Sequence, residues 1–470
     1  MSLTIDQEKA VKVLSNFIVD DVCNVKEDSY YSLAGAAGTG KTFLLHHILA
    51  TFKHLNFVIA TPTHQAKAVV KSKVSTAKVA TLASLFKLGA DLNLDTLETT
   101  FANRISPEVF KLFDVCIVEE ASMINSELIE SLIDAAFTNK KKIIFVGDKY
   151  QLPSPSENYR NMTTNLAFSN KNRLVTLNKI VRQESDSIIS LVILTVRRAL
   201  SSMLFPEEYA EIDDDYRALI KRLNMPYNYH KDPMEYIKQI YGDSFMTFEE
   251  YKAYLAKGDA EDEDFWSKTK SLAFTNEQVA FINNGIRKML KKDFIENNDI
   301  VKSYENTEVL TNGIEYKISS VVKGILTFTT YINNMSHEFK LTAYKCKFSN
   351  QAEINIIDHT DEKTVENMLA IKQSIKMWKP KDAKSKALRT STATYFKNIG
   401  VLNTIKNEVD KIEPNLAFAY SFTVHKSQGT TIENVVVSYD DFKKCLDNTL
   451  KLRLLYVALS RASKSLKILV

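Results

Sequence analysis

The chain has 470 residues, of which 45% are hydrophobic and 25% charged, and its net charge is +4. This balance excludes collagen-like and intrinsically disordered classes, and it predicts a globular protein of about three domains. The weak positive charge permits a nucleic-acid partner without requiring one. The four cysteines are scattered and form no C-x-x-C pair, so neither a disulfide framework nor a zinc site is indicated.

The start of the chain and its apolar runs argue against a membrane protein. The stretch MSLTIDQEKAVKVL carries acidic residues and is typical of an amphipathic helix rather than a signal peptide. The longest apolar run, residues 188–196, is too short to span a bilayer. We therefore expect a cytoplasmic protein with no membrane partner, located in the host-cell cytoplasm if the source is viral.

The first predicted element is a helix over residues 4–18, where Leu, Ile and Val recur at helical spacing. Gln7 lies near its start and carries a paired donor and acceptor that could read an adenine edge. The alternative is an ordinary helix glutamine exposed to solvent.

A phosphate-binding loop follows, between a predicted strand at residues 30–34 and a predicted helix at residues 43–50. Its sequence GAAGTGKT fits the pattern G-x-x-x-x-G-K-[ST] in full. Glycines let the backbone N–H groups of such a loop converge on phosphate oxygens, and the next helix adds the positive end of its dipole. Lys41 would neutralise charge at the β- and γ-phosphates, and the Thr42 hydroxyl would bind Mg²⁺. The loop predicts a nucleoside triphosphate site formed by Gly35, Gly38, Thr39, Gly40, Lys41 and Thr42.

Hydroxyl-bearing turns come after the next predicted strand, at residues 56–60. Thr63 and His64 begin the helix that follows and could bind a phosphodiester backbone, although Thr63 could equally be a simple helix cap. Ser84 lies in a second turn of this kind.

Residues 87–110 are less regular and more polar than their surroundings, which suggests an insertion between sheet strands. They include Phe101, an aromatic residue among polar ones. This ring could belong to a small satellite core, or it could be exposed and act on bases.

Two carboxylates end an apolar strand predicted within residues 113–123. Carboxylates at the carboxyl end of such a strand, beside a phosphate loop, should face the metal and the attacking water. Glu119 would then hold Mg²⁺ through water, and Glu120 would orient or deprotonate the nucleophilic water. The alternative, a pair of solvated acids, fits an apolar strand less well.

Two further side chains could act on the γ-phosphate. Gln151 follows a predicted strand at residues 142–146 and could sense the phosphate or position water. Arg182 ends a strand predicted from residue 174 and is a candidate arginine finger, because a planar guanidinium suits a transferring phosphoryl group. Considered alone, such an arginine is more often a surface residue.

The middle of the chain carries fewer chemical signals. A helix is predicted at residues 187–204, and the acidic stretches within residues 205–270 are typical of solvated faces. A second α/β unit begins near residue 271, and the alternating pattern of residues 309–349 predicts a small β barrel. The basic segment around Trp378 suits single-stranded nucleic acid by charge and stacking, with a solvated linker as a nearly equal alternative.

The end of the chain is again informative. A strand predicted at residues 416–422 leads into the sequence TVHKSQGT, and another is predicted at residues 435–439. A helix over residues 454–462 carries Arg461, and a closing strand is predicted at residues 466–470.

These motifs, in this order, resemble a superfamily 1 helicase, most of all the RecD-like branch and its phage Dda-type DNA helicases. The matching pieces span nearly the whole chain: LTIDQEKAV, GAAGTGKT, ATPTHQAKA, VEEASM, GDKYQLP, LNKIVRQ, AFTN, FTVHKSQGTT and LLYVALSRA. The phosphate loop alone indicates only an NTPase, whereas VHKSQG followed by YVALSRA is far more specific.

The resemblance implies an α/β fold with two RecA-like P-loop domains and ATP between them. It also implies a pin inserted in the first domain and an SH3-like β barrel inserted in the second. The expected boundaries are 1–185 for the first domain, with the pin at about 87–110; 186–311 and 415–470 for the two parts of the second, with an extra segment at about 205–270; and 312–414 for the barrel and its basic extension.

The resemblance also assigns roles. The implied catalytic residues are Lys41, Glu120, Gln151, Arg182, Gln428 and Arg461, with Gln7 and Gly429 added to the nucleotide site and Thr42 and Glu119 to the metal. The implied DNA contacts are Thr63, His64, Ser84, Thr423 and His425, with Phe101 as the pin residue and Trp378 in the extension that braces the pin. The cofactors would be ATP and Mg²⁺, and the substrates single-stranded and forked duplex DNA. A working monomer, 5′→3′ movement and a role in DNA replication and recombination are implied as well, with single-strand binding or replisome proteins as candidate partners.

The chain departs from the family at three places. Glu119 stands where the family usually has Asp, so its longer side chain must still reach the water shell of the metal. Ala83 replaces a polar residue common in the DNA-contacting turn, and residues 205–270 form a longer stretch than expected.

Other functions stay open from sequence. One is a translocase that strips proteins from DNA without opening duplex, and another is a nucleic-acid binding protein with a weak ATPase. RNA is an alternative substrate, because phosphate and stacking contacts do not by themselves exclude a 2′-hydroxyl.

Overall fold

A computed structural model describes residues 3–21, 25–36, 38–74, 76–92, 99–102, 105–154, 165–179, 187–227, 232–332, 335–402 and 415–470. Within them, strands form three sheets and one separate hairpin, with helices packed against the sheets. The α/β class predicted from the sequence is confirmed. No helix in this described part is both long and apolar enough to cross a membrane.

The first lobe is an α/β unit whose strands are β1 (Tyr30–Gly35), β2 (Phe57–Thr61), β3 (Lys78–Thr81), β4 (Gly89–Leu92), β5 (Thr99–Ala102), β6 (Val115–Val118), β7 (Lys142–Gly147) and β8 (Leu174–Leu177). Its helices are α1 (Ile5–Val19), α2 (Lys41–Thr51), α3 (His64–Lys73), α4 (Leu82–Leu85) and α5 (Ser126–Thr138). The sheet is parallel, in the order β3-β2-β6-β7-β1-β8. Its inner strands β1, β2, β6 and β7 are almost wholly buried, as expected where helices cover both faces, and its edge strands β3 and β8 are half buried. Strands β4 and β5 pair as the separate antiparallel hairpin, within the predicted insertion.

The rest of the chain contains the strands β9 (Phe245–Met246), β10 (Thr269–Ala273), β11 (Ile300–Ser303), β12 (Glu315–Ile332), β13 (Met335–Phe348), β14 (Glu353–Ile357), β15 (Gly400–Val401), β16 (Leu416–Phe418), β17 (Ser421–Thr423), β18 (Ile432–Ser438) and β19 (Ala462–Leu469). Its helices are α6 (Ile188–Leu204), α7 (Tyr209–Leu223), α8 (Pro233–Ile240), α9 (Phe248–Glu261), α10 (Phe265–Lys268), α11 (Asn276–Met289), α12 (Glu362–Met377), α13 (Ala383–Asn398), α14 (Tyr439–Phe442) and α15 (Asn448–Leu459).

The second lobe is built on a parallel sheet in the order β17-β10-β18-β19-β9. Helices α6, α7, α8 and α15 contribute to the hydrophobic core on one side of it. Together with the first sheet, it forms the pair of RecA-like units that the motifs predicted.

The third sheet lies between the strands of the second in sequence, in the order β15-β14-β13-β12-β11-β16. Its pairs are antiparallel except β14 with β15, and a bridge between Leu402 and Leu416 joins its two edges. The sheet therefore closes on itself, as a small barrel does. We call it the barrel sheet; its SH3-like topology stays a prediction.

Helix α1 illustrates how local sequence sets these elements. The Thr4 hydroxyl accepts a hydrogen bond from the Gln7 backbone N–H, and the Gln7 side chain accepts one from the Thr4 N–H, which is a capping box. Ala10, Leu14 and Phe17 are buried on one face of the helix. The cap fixes Gln7 at a defined position, and that position lies under the phosphate loop.

Several boundaries differ from those predicted. The strand expected at residues 416–422 is two strands, β16 in the barrel sheet and β17 in the second lobe, because the chain turns at Ala419 and Tyr420. Both turn residues are buried, so the apolar pattern runs through the break without interruption. The barrel sheet begins with β11, before the expected boundary at 312.

Two more differences concern the ends of predicted elements. The strand expected to reach Arg182 ends at Leu177. The segment at 205–270 is part of the second lobe, to which it adds helices α7 to α10 and the edge strand β9.

Candidate functional site

The phosphate loop joins β1 to α2, as its sequence predicts. Gly38 and Gly40 have φ of +86° and +85°, a left-handed conformation that glycine adopts without strain. Gly40 is the N-cap of α2 and no side chain caps the helix there, so the first N–H groups of α2 face the loop. The Lys41 ammonium donates to the Gly35 and Ala36 carbonyls at 2.7 and 3.2 Å. This arrangement can bind an anion through N–H groups, one ammonium and a helix dipole.

Gln7 contacts this loop directly. Its side-chain Nε2 donates to the Thr39 carbonyl at 3.0 Å, and the side chain is buried at 2% exposure. Because Oε1 accepts from Thr4, both ends of the amide are engaged within the protein. The structure thus shows Gln7 supporting the loop, while adenine recognition stays a prediction.

The two carboxylates follow β6 beside the loop. Glu119 is 6% exposed, and its pKa is raised to about 7 by burial and by the neighbouring Glu120, while the charge of Lys41 opposes the shift. Glu120 has φ of +54°, which turns the chain sharply after the strand. The carboxylates and Lys41 are therefore near enough to interact through their charges.

Oxygen ligands at this site fit Mg²⁺. The Thr42 hydroxyl is partly exposed at the start of α2, and Glu119 is a buried carboxylate that a divalent cation would stabilise in its charged form. Within the described residues, no three His, Cys, Asp or Glu side chains come together as a protein metal cage. A magnesium ion held largely by phosphates and water needs no such cage.

Gln151 lies in a loop after β7 and is buried at 4% exposure. Its Oε1 has no hydrogen-bond partner among the described residues, so the amide oxygen is open to a donor. Gln428, from the second lobe, donates through Nε2 to the Leu152 carbonyl at 3.2 Å. The structure thus brings these two predicted glutamines together where the lobes meet.

Of the two predicted arginine fingers, the structure describes only Arg461. Arg461 is 5% exposed, and its guanidinium donates within its own lobe to the Val457 and Thr430 carbonyls at 3.1 and 3.0 Å. Arg182 lies outside the described residues. Gly429, with φ of +75°, packs close to Ala66 of α3 and so helps to join the lobes.

A cavity of about 600 Å³ opens between both lobes and the barrel sheet. Thr63 and His64 line it from the first lobe and His425 from the second, so three predicted DNA contacts share one cleft. Burial lowers the pKa of both histidines, which are therefore neutral at pH 7. We call this cavity the interlobe cleft.

The other predicted DNA contacts are not among the described residues that line the interlobe cleft. Thr423 is 7% exposed at the end of β17, and Ser84 is exposed on α4, next to Ala83, which lines the cleft. Trp378 ends α12 at only 9% exposure, so its ring packs in the protein rather than presenting a face to bases. The stacking role expected for Trp378 is not supported. Phe101 lies on β5 opposite Ala90, and its side chain is outside the described part.

Sequence reasoning missed the basic floor of the cleft, which is formed by Lys302, Tyr304 and Lys426. The Lys426 ammonium lies 3.3 Å from the centre of the Tyr304 ring, and the Lys302 ammonium donates to the Lys426 carbonyl at 3.3 Å. Lys426 stands inside VHKSQG and could have been noticed there. Lys302 and Tyr304 lie more than a hundred residues upstream, and only the fold brings them here.

Two regions of the chain match known families. Residues 19–201 match an AAA domain, and residues 418–469 match a UvrD-like helicase C-terminal domain. The first region contains the phosphate loop, the carboxylates and Gln151, and the second contains His425, Gln428 and Arg461.

Two relatives match nearly the whole chain. The chain is 24% identical to an uncharacterized protein of Methanocaldococcus jannaschii, over 99% of this chain but only 38% of that protein. It is 22% identical to an uncharacterized protein of Acanthamoeba polyphaga mimivirus, over 94% of this chain and 96% of that protein. The chain therefore spans less than half the length of the archaeal relative.

Solved structures of similar fold include Pif1 helicases. One is the Pif1 helicase from Bacteroides in complex with ADP-AlF3 and single-stranded DNA, with a TM-score of 0.48 and 16% identity, covering 100% of this chain and 92% of that chain. Another is the Pif1 helicase from Candida albicans, with a TM-score of 0.45 and 18% identity, covering 100% and 94%.

Proposed function

We propose that this chain, assigned to the superfamily 1 helicases by its AAA domain and its UvrD-like helicase C-terminal domain, is an ATP-driven motor on DNA. It would translocate on single-stranded DNA in the 5′→3′ direction and unwind duplex. The observation that carries this proposal is the interlobe cleft, where Thr63 and His64 of one lobe face His425 of the other. A DNA strand bound there would contact both lobes of the ATP-driven motor.

The phosphate loop supplies the binding step. Lys41 would release the Gly35 and Ala36 carbonyls and turn its ammonium to the β- and γ-phosphates of ATP, while the N–H groups of the loop and α2 hold the phosphate oxygens. Thr42 and Glu119 would hold Mg²⁺, which would neutralise negative charge on the phosphates. Gln7 keeps the loop in shape through Thr39.

The hydrolytic step uses Glu120, Gln151 and Gln428, which would orient the attacking water and contact the γ-phosphate. Arg461 would have to leave its carbonyl partners to reach a phosphate, as lobe closure would require. Arginine fingers are typically worth about 10³–10⁵ in rate, so hydrolysis would depend on closure.

Movement follows from the two-lobed grip. Closing on ATP brings Thr63 and His64 nearer to Thr423 and His425, and opening after hydrolysis separates them, so the pairs would step along one strand. Phosphate contacts and base stacking hold the strand, and stacking contributes about 1–3 kcal/mol per base. We further propose a working monomer that acts in DNA replication or recombination, with single-strand binding or replisome proteins as partners, in the cytoplasm of a cell or of a viral host.

The test is ATP turnover with and without single-stranded DNA, together with unwinding of duplexes that carry a 5′ or a 3′ tail. We expect DNA to stimulate hydrolysis and only the 5′-tailed duplex to open, with Lys41→Ala inactive in both assays. Absence of stimulation would contradict the proposal. RNA oligonucleotides in the same assay decide whether the 2′-hydroxyl is tolerated.

One observation favours a second candidate, a nucleic-acid binding protein with a weak ATPase. Glu119 stands where the family usually has Asp and is buried at 6% exposure, so its longer side chain has less freedom to reach the water shell of the metal. Glu119→Asp distinguishes the two cases, because a faster variant indicates a motor slowed at this residue, whereas an unchanged low rate favours the binder.

A further inference from the structure

The loop at residues 148–152, which we call the sensor loop, is held mainly by the opposite lobe. It follows β7 of the first lobe and contains Gln151. The Tyr456 hydroxyl donates to Asp148 Oδ2 at 2.6 Å. Arg453 Nη1 donates to the carbonyls of Lys149 at 2.9 Å and Gln151 at 2.5 Å. Both donors stand on α15 of the second lobe.

These contacts are buried and therefore costly to break. Arg453 is 6% exposed, Tyr456 is 0% exposed and Asp148 is 1% exposed. A buried carbonyl or carboxylate that loses its donor keeps the whole cost of leaving water. Burial lowers the pKa of Arg453 only to about 10, so the guanidinium is charged at neutral pH and its hydrogen bonds are charge-assisted.

Helix α15 also leads directly to Arg461, the proposed arginine finger. Arg453 lies in the middle of α15, and Arg461 lies two residues beyond Leu459, the last residue of α15. The same helix therefore holds the backbone of Gln151 through Arg453 and leads into the turn that carries Arg461. Gln151 and Arg461, which are proposed to act on the γ-phosphate, are thus both positioned by α15, although they belong to different lobes.

The sensor loop also runs toward the interlobe cleft. Gln428 donates to the Leu152 carbonyl at 3.2 Å, and both Gln428 and Ser154 line the cleft. A change in the position of a nucleic-acid strand bound in the cleft would therefore be transmitted through Gln428 to the backbone of the sensor loop.

We propose that Arg453 and Tyr456 are positioning residues that fix the sensor loop to α15, and so hold Gln151 and Arg461 in register for hydrolysis when nucleic acid occupies the interlobe cleft. This inference rests on the proposed function and adds to it the residues that couple the cleft to hydrolysis. Neither residue would touch the nucleotide, since Arg453 acts through the loop backbone and Tyr456 through Asp148.

The experiment compares Tyr456→Phe and Arg453→Ala with the wild-type chain. For each protein, kcat and KM for ATP are measured with and without a single-stranded oligonucleotide, and oligonucleotide affinity is measured separately. The matched control is Tyr241→Phe, which removes a tyrosine hydrogen bond of 3.0 Å to the Leu466 carbonyl inside the second lobe. Thermal unfolding of every variant checks that it folds, and Tyr456→Phe, which loses a single oxygen, serves where Arg453→Ala does not fold.

We expect both test variants to lose about tenfold or more in DNA-stimulated kcat, with KM for ATP and oligonucleotide affinity within about twofold of wild type. Arg453→Lys, which keeps the charge and a donor group but lacks the guanidinium geometry, should recover part of the loss. Tyr241→Phe should behave as wild type. This pattern is not expected of a merely structural role, which would lower stability and all activities together.

Two results would overturn the inference alone. One is unchanged DNA-stimulated kcat in a folded Tyr456→Phe, and the other is a change confined to KM, which would assign these residues to nucleotide binding. A wild-type chain that shows no stimulation by DNA would instead overturn the proposed function, and this inference with it.

Discussion

At the scale of single residues, two roles that seem mutually exclusive from the sequence can both be filled by one side chain in the structure. Thr63 accepts a hydrogen bond from the Ala66 N–H and so caps α3, as the simpler interpretation predicted. Thr63 also lines the interlobe cleft. Because a hydroxyl accepts and donates at the same time, the cap leaves its proton available for a phosphate oxygen.

Gln7 offers a test of two residue-level interpretations. Gln7→Leu removes the donor to the Thr39 carbonyl, and we expect KM for ATP to rise about three- to tenfold with a smaller change in kcat, because a buried carbonyl loses its partner. If Gln7 only supports the loop, KM for GTP rises equally. If it reads the adenine edge, the preference for ATP over GTP falls. Steady-state hydrolysis of both nucleotides measures this.

The control for Gln7 is Thr4→Val, which weakens the same helix cap without touching the loop. An equal rise in KM in this variant would mean that helix stability, and not the contact with Thr39, explains the effect.

At the scale of elements, sequence predicted strands and helices best where one period dominates. Strands β1 and β7 and helix α6 appear nearly where expected, because buried apolar runs and a 3.6-residue period specify them. The break between β16 and β17 could not be predicted, since Ala419 and Tyr420 are as buried as the strands beside them. What decides that break is the choice of partner strand, which belongs to the tertiary fold.

The basic floor of the interlobe cleft shows that functional residues, too, can depend on tertiary pairing that local sequence does not predict. Lys302 is supplied by β11 of the barrel sheet and Lys426 by the turn after β17, and they meet only because β11 pairs with β16. No local pattern around Lys302 marks it as a cleft residue.

This pair predicts how DNA binding depends on pH. Burial and the charge of Lys270 lower the pKa of Lys302 to about 8, against the opposing charge of Glu315. Loss of water around the ammonium and the charge of Lys302 lower the pKa of Lys426 to about 8 as well. A bound phosphodiester would raise both values. Affinity for single-stranded DNA should therefore be constant below pH 7.5 and fall as pH rises above 8, by up to about tenfold per unit of pKa change.

Fluorescence anisotropy with a labelled oligonucleotide, from pH 7 to pH 9.5, measures this dependence. His64 and His425 are already neutral in this range, because their pKa values are lowered. Lys302→Met should bind more weakly at pH 7 and show a flatter profile, whereas Lys443→Met, an exposed lysine that does not line the cleft, should follow wild type. A wild-type profile in Lys302→Met would contradict the assignment.

At the scale of the whole molecule, the ordered motifs predicted two α/β units, and both are present. They did not predict how the units are joined. The joint depends on Arg453, an ordinary helix residue in sequence, and on Tyr456, whose motif gives no sign of this contact. It also depends on Gly429, which packs against Ala66. Such contacts depend on the relative placement of two lobes, which no local period encodes.

Duplex opening is a property of this whole assembly, and Phe101 tests it. Strands β4 and β5 form a hairpin separate from the main sheets, as a wedge for splitting base pairs would require, and Phe101 lies on β5. In Phe101→Ala, hydrolysis stimulated by single-stranded DNA should stay within about twofold of wild type. The rate of unwinding a 5′-tailed duplex should fall about tenfold or more, since stacking on a base contributes about 1–3 kcal/mol.

Phe281→Ala, which removes an exposed ring from α11, is the matched control. If Phe101→Ala unwinds and hydrolyses as wild type does, the hairpin is not the pin. If the wild-type chain hydrolyses ATP on single strands but opens no duplex, the motor is a translocase, and the two lobes and the cleft suffice to explain it.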